Sequence, residues 1–344
     1  MKPLSELTRP NILDMELRFH EEYGHDKNTA RIFLDKNENP YNNPYNRYPD
    51  PTQNELKKKI AQIKNVKLEQ IFIGNGADEA IDLIYRCFAR PGIDNVVAIE
   101  PTYAMYNVCA NINDVEYRKV PLDESFQFKA EELLSASDAN TKLIWICSPN
   151  DPTGNSMPRE EILKTLNMFD GLVIVDEAYS DFSQEMSMLT ELDLHPNLLV
   201  LNTFSKAWAG AAIRFGMAFA GKEIIDTLNK VKHPYSLNSL TQTKALEMLH
   251  EPYETDKWVK IILLERSRMI DAFKMLPFCE KVFPSNANFL LVKFKNAQAV
   301  YEYLLNRGIV VKNMSKITLC EDCLRITVGS KGDNNELLSA LRQY

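Results

Sequence analysis

The sequence predicts an α/β fold: a large domain on a mostly parallel sheet covered by helices on both faces, then a smaller α/β C-terminal domain. Three observations carry this. Short apolar runs alternate with helix-patterned segments between residues 71 and 231. Residues 241–276 then read as long helical stretches, and the alternation resumes beyond them. A repeated strand–helix alternation is the signature of parallel strands joined by crossover helices, which bury both sheet faces. The expected division is an N-terminal segment (1–33, part of the small domain), a large domain (34–240), connecting helices (241–276) and a small domain (277–344).

The elements follow in order. Residues 35–54 form a loop rich in Pro, Asn and Tyr, where prolines exclude a regular helix or a central strand. Glu55–Lys64 reads as an exposed helix. The strand Ile71–Ile73 precedes the helix Ala77–Phe88, and Val96–Ile99 precedes Tyr103–Asn111. Leu143–Cys147 leads to the helix Arg159–Phe169. Leu172–Val175, Leu198–Leu201 and Phe215–Ala220 follow as strands, and Lys222–Val231 as a helix. In the C-terminal part, the strands Phe289–Phe294, Ile309–Lys312 and Leu324–Val328 alternate with the helices Ala297–Asn306 and Asn334–Arg342.

Composition narrows the function classes. A net charge of −7 argues against broad binding of nucleic acid or anionic membranes. The apolar runs are too short to span a bilayer, and Met1–Asn11 has no apolar core of a signal peptide, so a cytoplasmic location is expected. Six scattered cysteines make no disulfide framework in a chain of 344 residues. Cys320 and Cys323 have no second Cys or His pair nearby. None of His20, His25, His195, His233 and His250 has metal-ligand spacing to another, so no metal site is expected.

Four motifs carry chemistry. Gly74-Asn75-Gly76-Ala77-Asp78-Glu79 lies between a strand and a helix. Small residues there let backbone N–H groups approach an anion at the positive helix end, although a tight turn with an N-cap has the same pattern. Ser148–Gly154 follows the strand Leu143–Cys147 at the sheet edge where open α/β sheets bind ligands; a plain connection reads the same way. Asp176, with Tyr179 after it, ends another apolar run. A carboxylate there is costly unless paired, as an N-cap, in a salt bridge, or against a cationic ring nitrogen. Finally, Asn202-Thr203-Phe204-Ser205-Lys206-Ala207-Trp208, closed by Arg214, sets a lysine in an apolar neighbourhood beside two hydroxyls and an arginine. A lysine for a Schiff base, an acid for a pyridinium nitrogen, and hydroxyls with arginine for a phosphate are what pyridoxal phosphate (PLP) requires. The succession of all four motifs after strands favours that reading over four separate structural ones.

These motifs resemble the fold-type I PLP enzymes, and within them the histidinol-phosphate aminotransferases. The matching segments include Asn46-Arg47-Tyr48-Pro49, Gly76-Ala77-Asp78-Glu79, Pro101-Thr102-Tyr103, Ser148-Pro149-Asn150, Pro152-Thr153-Gly154, Asp176-Glu177-Ala178-Tyr179, Ser205-Lys206-Ala207 and Cys323–Gly329. The similarity runs from about Leu34 to the C-terminus. It implies that Lys206 carries the Schiff base and shuttles the proton, that Asp176 pairs with the ring nitrogen, and that Tyr179 bonds the ring phenolate oxygen. Tyr103 stacks on the ring in this reading. The Ala77 and Asp78 backbone, Ser205, Thr203 and Arg214 hold the phosphate. Tyr48 reaches that phosphate from a partner subunit, which implies a homodimer. Arg325 binds the anionic group of the substrate by a bidentate contact.

Three positions depart from the family pattern. Asp151 stands where these enzymes usually have an asparagine that donates to the phenolate oxygen, which an ionised carboxylate cannot do. The expectation is that Asp151 is protonated in the complex, or that Asn150 or Tyr179 is the donor. Lys312 replaces a frequent second arginine, keeping the charge but losing the planar fork. Asn11 lies where the family can present a tyrosine to the substrate phosphate. The implied reaction is transamination of histidinol phosphate and imidazole-acetol phosphate with glutamate and 2-oxoglutarate. The rivals are an aromatic or other amino-acid aminotransferase, a phosphothreonine-type decarboxylase, and a regulatory protein that uses the fold only for binding.

Overall fold

The computed structural model describes residues 1–16 and 32–344. Seven strands form the large sheet: β1 (Ile71–Asn75), β2 (Asn95–Glu100), β3 (Glu116–Pro121), β4 (Thr141–Cys147), β5 (Leu172–Asp176), β6 (Leu198–Thr203) and β7 (Phe215–Ala220). Their spatial order is β1-β7-β6-β5-β4-β2-β3. Strands β2 to β6 pair in parallel, and β7 runs antiparallel to both β6 and β1. The sheet is therefore mostly parallel, with one reversed strand set between β1 and β6.

Period-two alternation explains why the central strands read as continuous apolar runs. In β4, Ile144 and Ile146 enter the core on one face, while Leu143, Trp145 and Cys147 enter the core on the other. Val173 and Val175 of β5 make the same choice against Leu172 and Ile174. Successive side chains of a strand point to opposite faces, so a strand covered on both sides must be apolar at every position.

The short sheet is antiparallel, in the order β10-β11-β9-β8, from β8 (Cys279–Val282), β9 (Phe289–Phe294), β10 (Lys312–Asn313) and β11 (Cys323–Thr327). Leu290, Val292, Leu324 and Ile326 bury one face in a separate small core with Met269 and Phe273 of the helix Pro252–Lys274. Phe289, Leu291 and Cys323 belong instead to the core shared with the large sheet. Arg325 pairs with Leu291 in the register and so shares its face, which looks toward the large sheet. Lys312 pairs with Arg325 across the β10–β11 ladder.

Two strands and three short helices, Leu4–Leu7, Pro10–Leu13 and Ala130–Ser135, are absent from the sequence reading. The edge strand β3 is Glu-Tyr-Arg-Lys-Val-Pro, half of it charged and all but Val120 partly or fully exposed, and β8 is likewise an edge strand with two exposed charges. Edge strands carry charge because an apolar exposed edge invites aggregation, and this erases the apolar signal. The helix Ala130–Ser135 spans six residues, too few to show a helical period. The third small-domain strand also starts later than expected, at Lys312.

The N-terminal segment, expected with the small domain, packs beside the large sheet over its described part. Leu7 is 2% exposed and belongs to the core around the helix Ala77–Phe88. The Lys2 amide donates to the Asp170 carbonyl and the Arg9 amide to the Cys87 carbonyl. Apolar burial decides this: Leu7 and Ile12 find their cover beside the large sheet. Residues 17–31 of the segment lie outside the described part.

Candidate active site

The topology gathers the motif residues at one edge. The carboxyl ends of β1, β2, β4, β5 and β6 lie there, together with the amino end of the reversed β7. Asp176 is the register partner of Cys147, and Gly216 pairs with both Thr203 and Gly74. A cavity of about 230 Å³ opens at this edge, lined by Ala77, Asp78, Tyr103, Cys147, Asp151, Asp176, Ala178, Tyr179, Thr203, Ser205, Lys206, Ala211 and Arg214. All the motif residues expected at the cofactor, except Tyr48, line this one space.

The phosphate end is built from backbone. Gly76 precedes the helix Ala77–Phe88 with φ 80° and offers no side-chain cap. The first N–H groups of that helix are thus left for a ligand, at the positive end of its dipole. A Cβ on Gly76 would meet the Arg214 guanidinium at 2.6 Å, and one on Gly216 would meet the Ala77 amide nitrogen at 2.1 Å. Only glycine lets β7 and Arg214 approach this closely. Arg214 itself sits at φ 52°, in the left-handed region, a strain that concentrates at functional sites. Its guanidinium pairs with Asp78 at 3.2 Å, and Ser205 and Thr203 share a hydroxyl contact at 3.1 Å. An uncapped helix start, two hydroxyls and an arginine fit a phosphate monoester.

The ring end is built from buried side chains. Asp176, 4% exposed, accepts from the Tyr106 hydroxyl at 2.7 Å and from the Ala178 amide at 3.0 Å. Burial pushes its carboxyl up to about 6, against these hydrogen bonds. A cation beside it would relieve that cost, which fits a protonated ring nitrogen. Lys206 holds its amine 4.9 Å from the centre of the Tyr179 ring. The Tyr103 hydroxyl donates to Asp78 at 3.0 Å.

Tyr106 was absent from the sequence reading. It sits three residues beyond Tyr103, on the helix Met105–Ile112, and that i,i+3 spacing was the available signal. Its ring stacks on Trp145 of β4 at 4.7 Å, and Trp145 stacks on Tyr85 at 5.5 Å; such pairs are each worth about 0.5–1.5 kcal/mol beyond area burial. Burial, then the Asp176 charge, raises the Tyr106 phenol far above its ordinary value, so it remains a donor. Cys147 also lines the cavity unannounced by any motif.

The substrate end departs from expectation. Asn150 is fully buried and fully committed: its amide donates to the Pro101 carbonyl and to Thr153, and its oxygen accepts from Thr102. It is no donor to a ligand. Tyr179 donates to Asp151 at 3.1 Å, and the other Asp151 oxygen is paired with Arg325. The Arg325 guanidinium lies 5.5 Å from the centre of the Phe289 ring. Lys312 is exposed beside it on β10.

Four expected residues do not line this cavity: Arg325, which meets it through its pair with Asp151, Lys312 opposite Arg325 on β10, Asn11 and Tyr48. Asn11 is exposed on the short helix Pro10–Leu13 and does not line the cavity; burial of Leu7 and Ile12 against the large domain holds it there. Tyr48, 55% exposed, stacks on Tyr235 at 4.5 Å and lines a separate groove with Asn37, Arg47 and Leu240. His20 and His25 lie outside the described residues. Among the described residues no group of three His, Cys, Asp or Glu is placed to hold a metal, and no helix is long and apolar enough to cross a membrane.

A mostly parallel sheet with a reversed strand, a lysine–aspartate–tyrosine set and an uncapped phosphate cradle define a PLP-type transferase fold and site. The chain matches the aminotransferase class I and II family over residues 23–341 and belongs to that family. It is 55% identical to a histidinol-phosphate aminotransferase of Bacteroides fragilis, covering all of both chains, and 51% identical to one of Parabacteroides distasonis, covering 99% of both. Among solved structures, a histidinol-phosphate aminotransferase from Clostridium acetobutylicum superposes with a TM-score of 0.80 at 26% identity, covering 87% of this chain and 90% of that one. The fold is also that of the Sinorhizobium meliloti enzyme in complex with pyridoxal-5'-phosphate, with a TM-score of 0.79 at 21% identity over 86% and 82% of the chains.

Proposed function

We propose that this chain is a PLP-dependent histidinol-phosphate aminotransferase, exchanging an amino group between histidinol phosphate and imidazole-acetol phosphate with glutamate and 2-oxoglutarate as the other pair. The observation that carries the chemistry is the convergence of Lys206, Asp176, Tyr179 and the Gly76–Arg214 cradle in one cavity. The substrate rests on the full-length relatives of that name.

Roles follow from the chemistry of each group. Ser205, Thr203, Arg214 and the Ala77 and Asp78 amides would hold the cofactor phosphate, with Tyr103 over the ring. Asp176 would keep the ring nitrogen protonated, and Tyr179 would bond the phenolate oxygen. When bound, PLP supplies an electron sink for the charge that develops at the substrate carbon. Lys206 Nζ would attach the cofactor and, once its amine is free, would take the proton from the substrate Cα onto that amine. Arg325, flanked by Lys312, would bind the anionic group of each substrate, a carboxylate in one half-reaction and a phosphate in the other.

A second copy of the chain belongs to this reading. Tyr48, Tyr45 and Leu240 line an exposed groove separate from their own cavity, and we place Tyr48 at the partner's phosphate in a homodimer. We also read residues 34–240 and 277–344 as two domains joined by the helices between them, and we place the reaction in the cytoplasm, where a charged phosphorylated substrate is retained.

The test is a half-reaction on purified holoenzyme. Histidinol phosphate should convert the cofactor to its amino form, with phenylalanine at least about tenfold slower, because a site built to hydrogen-bond one substrate rejects an analogue that leaves its polar groups unpaired. Absence of conversion by histidinol phosphate rejects the substrate. Carbon dioxide release without a keto acceptor would select the decarboxylase reading instead. Sedimentation as a single chain would remove Tyr48 from the site.

A further inference from the structure

The substrate end of the cavity already contains an anion, and it belongs to the protein. Arg325 is paired with Asp151, whose side chain is 10% exposed. The second Asp151 oxygen accepts from Tyr179 at 3.1 Å. We propose that Asp151 is an internal counter-ion that occupies Arg325 until an anionic substrate displaces it, and that Asp151 takes up one proton as it is released. This deepens the reading above and rests on Arg325 as the anion handle.

The argument is one of charge balance in a buried place. With Arg325 engaged, the pair is neutral, and the Tyr179 hydroxyl bonds the second oxygen until the cofactor phenolate claims that single donor. An incoming carboxylate or phosphate competes for the same guanidinium. Once Arg325 turns to it, Asp151 is a buried carboxylate facing a second anion, a costly arrangement. Among the described residues, the other cations lining the cavity are Lys206, which would carry the cofactor in the holoenzyme, and Arg214, which is paired with Asp78 at the phosphate end, while Lys312 is exposed on β10. From β11 comes Arg325, from beyond β5 the Tyr179 phenol, from β4 the Cys147 thiol, and from the loop after β2 the Tyr103 phenol. The phenols and the thiol are neutral, each raised by burial first. A proton from solvent restores neutrality and converts the carboxylate into a carboxylic acid. That acid has a donor to offer, which the ionised form lacks. Substrate binding and the recovery of an asparagine-like donor become one event.

The test is equilibrium binding to the PLP holoenzyme of two ligands that cannot transaminate: maleate for the carboxylate and glycerol 3-phosphate for the phosphate. Calorimetry in two buffers of different ionisation enthalpy counts protons, and the visible band read in parallel accounts for protonation on the cofactor. The unaltered enzyme should take up about one further proton per ligand near pH 8, and its affinity should fall as pH rises. Asp151→Asn should take up none and bind about tenfold or more tightly near pH 8, with the difference narrowing as pH falls. Uptake by one ligand only identifies which anion opens the pair. Equal affinities with no extra proton overturn the latch. The proton count on the unaltered enzyme decides alone if the variant does not fold. Arg325→Gln separates the two levels: if it binds both anions normally, the handle and the latch fall together. If it loses them while Asp151→Asn behaves like the unaltered enzyme, the latch alone falls.

Discussion

The two ends of the cavity are built on different principles. At the cofactor end, the ligand-directed groups come from one sheet, at strand ends whose register is set by the core: Asp176 from β5, Thr203 from β6, Arg214 before β7, and the helix start after β1. At the substrate end, Arg325 and Lys312 come from the second sheet, and Asp151 from a loop. The first end is assembled on one sheet and fits a cation and a phosphate. The second joins two sheets and is closed by an internal ion pair. A rigid end suits a cofactor that stays, and an exchangeable end suits substrates that alternate.

Substitutions can break or sharpen this contrast. The largest effect is expected from Lys206→Ala, which removes the covalent anchor: transamination should fall by roughly 10⁴-fold or more, a loss of the size seen for covalent nucleophiles. The visible band of the attached cofactor should also disappear. A band that persists would move the attachment to another lysine.

Asp176→Asn should separate stability from function. The carboxyl keeps its proton to about pH 6 in the folded apo-protein, against an ordinary 3.8 unfolded. Above pH 6 it is ionised in both states, and burial costs the folded state about 3 kcal/mol. That cost shrinks as pH falls below 6 and vanishes near 4. The variant should therefore gain up to about 3 kcal/mol in apo-protein unfolding at pH 7 and nothing at pH 4. Its PLP affinity should drop about a hundredfold, the scale of one lost charged contact in a buried site. Lower apo-protein stability at pH 7 would show that Asp176 is paired by something other than the cofactor.

Tyr106→Phe is a smaller change at the same end. It removes one hydrogen bond to a buried charge, worth about 1.5–3 kcal/mol. Because that bond lowers the Asp176 carboxyl, its loss should move the acid limb of PLP binding to higher pH. A uniform loss at all pH values would reduce Tyr106 to packing against Trp145. The smallest effect is expected from Asn11→Ala, less than about twofold in kcat/KM, as for surface positions away from such features. A tenfold rise in KM would bring Asn11 back to the substrate, through another chain.

How much was legible varies with the same contrast. The central strands and the order of the motifs could be read directly, because strands covered on both faces must be apolar throughout and small or charged residues at their ends stand out. The edge strands β3 and β8 could not, since their charges serve to keep the edges from pairing. Tyr106 announced itself only by spacing, and Asn150 looked as available as Asp151 until its three hydrogen bonds were placed.

Sequence by itself determined the fold class, the cofactor chemistry and Lys206, Asp176, Tyr179 and Arg214 as its candidates. These follow from local pattern: period-two apolar runs, glycines where backbone must approach, and ionisable residues at strand ends. Only the tertiary structure decided that Asp151 and Arg325, 174 positions apart, neutralise each other, that Tyr106 supports Asp176, and that Asn11 lies outside the cavity. Coulomb pairing and burial act through space, and no local pattern records which distant groups the two sheets bring face to face.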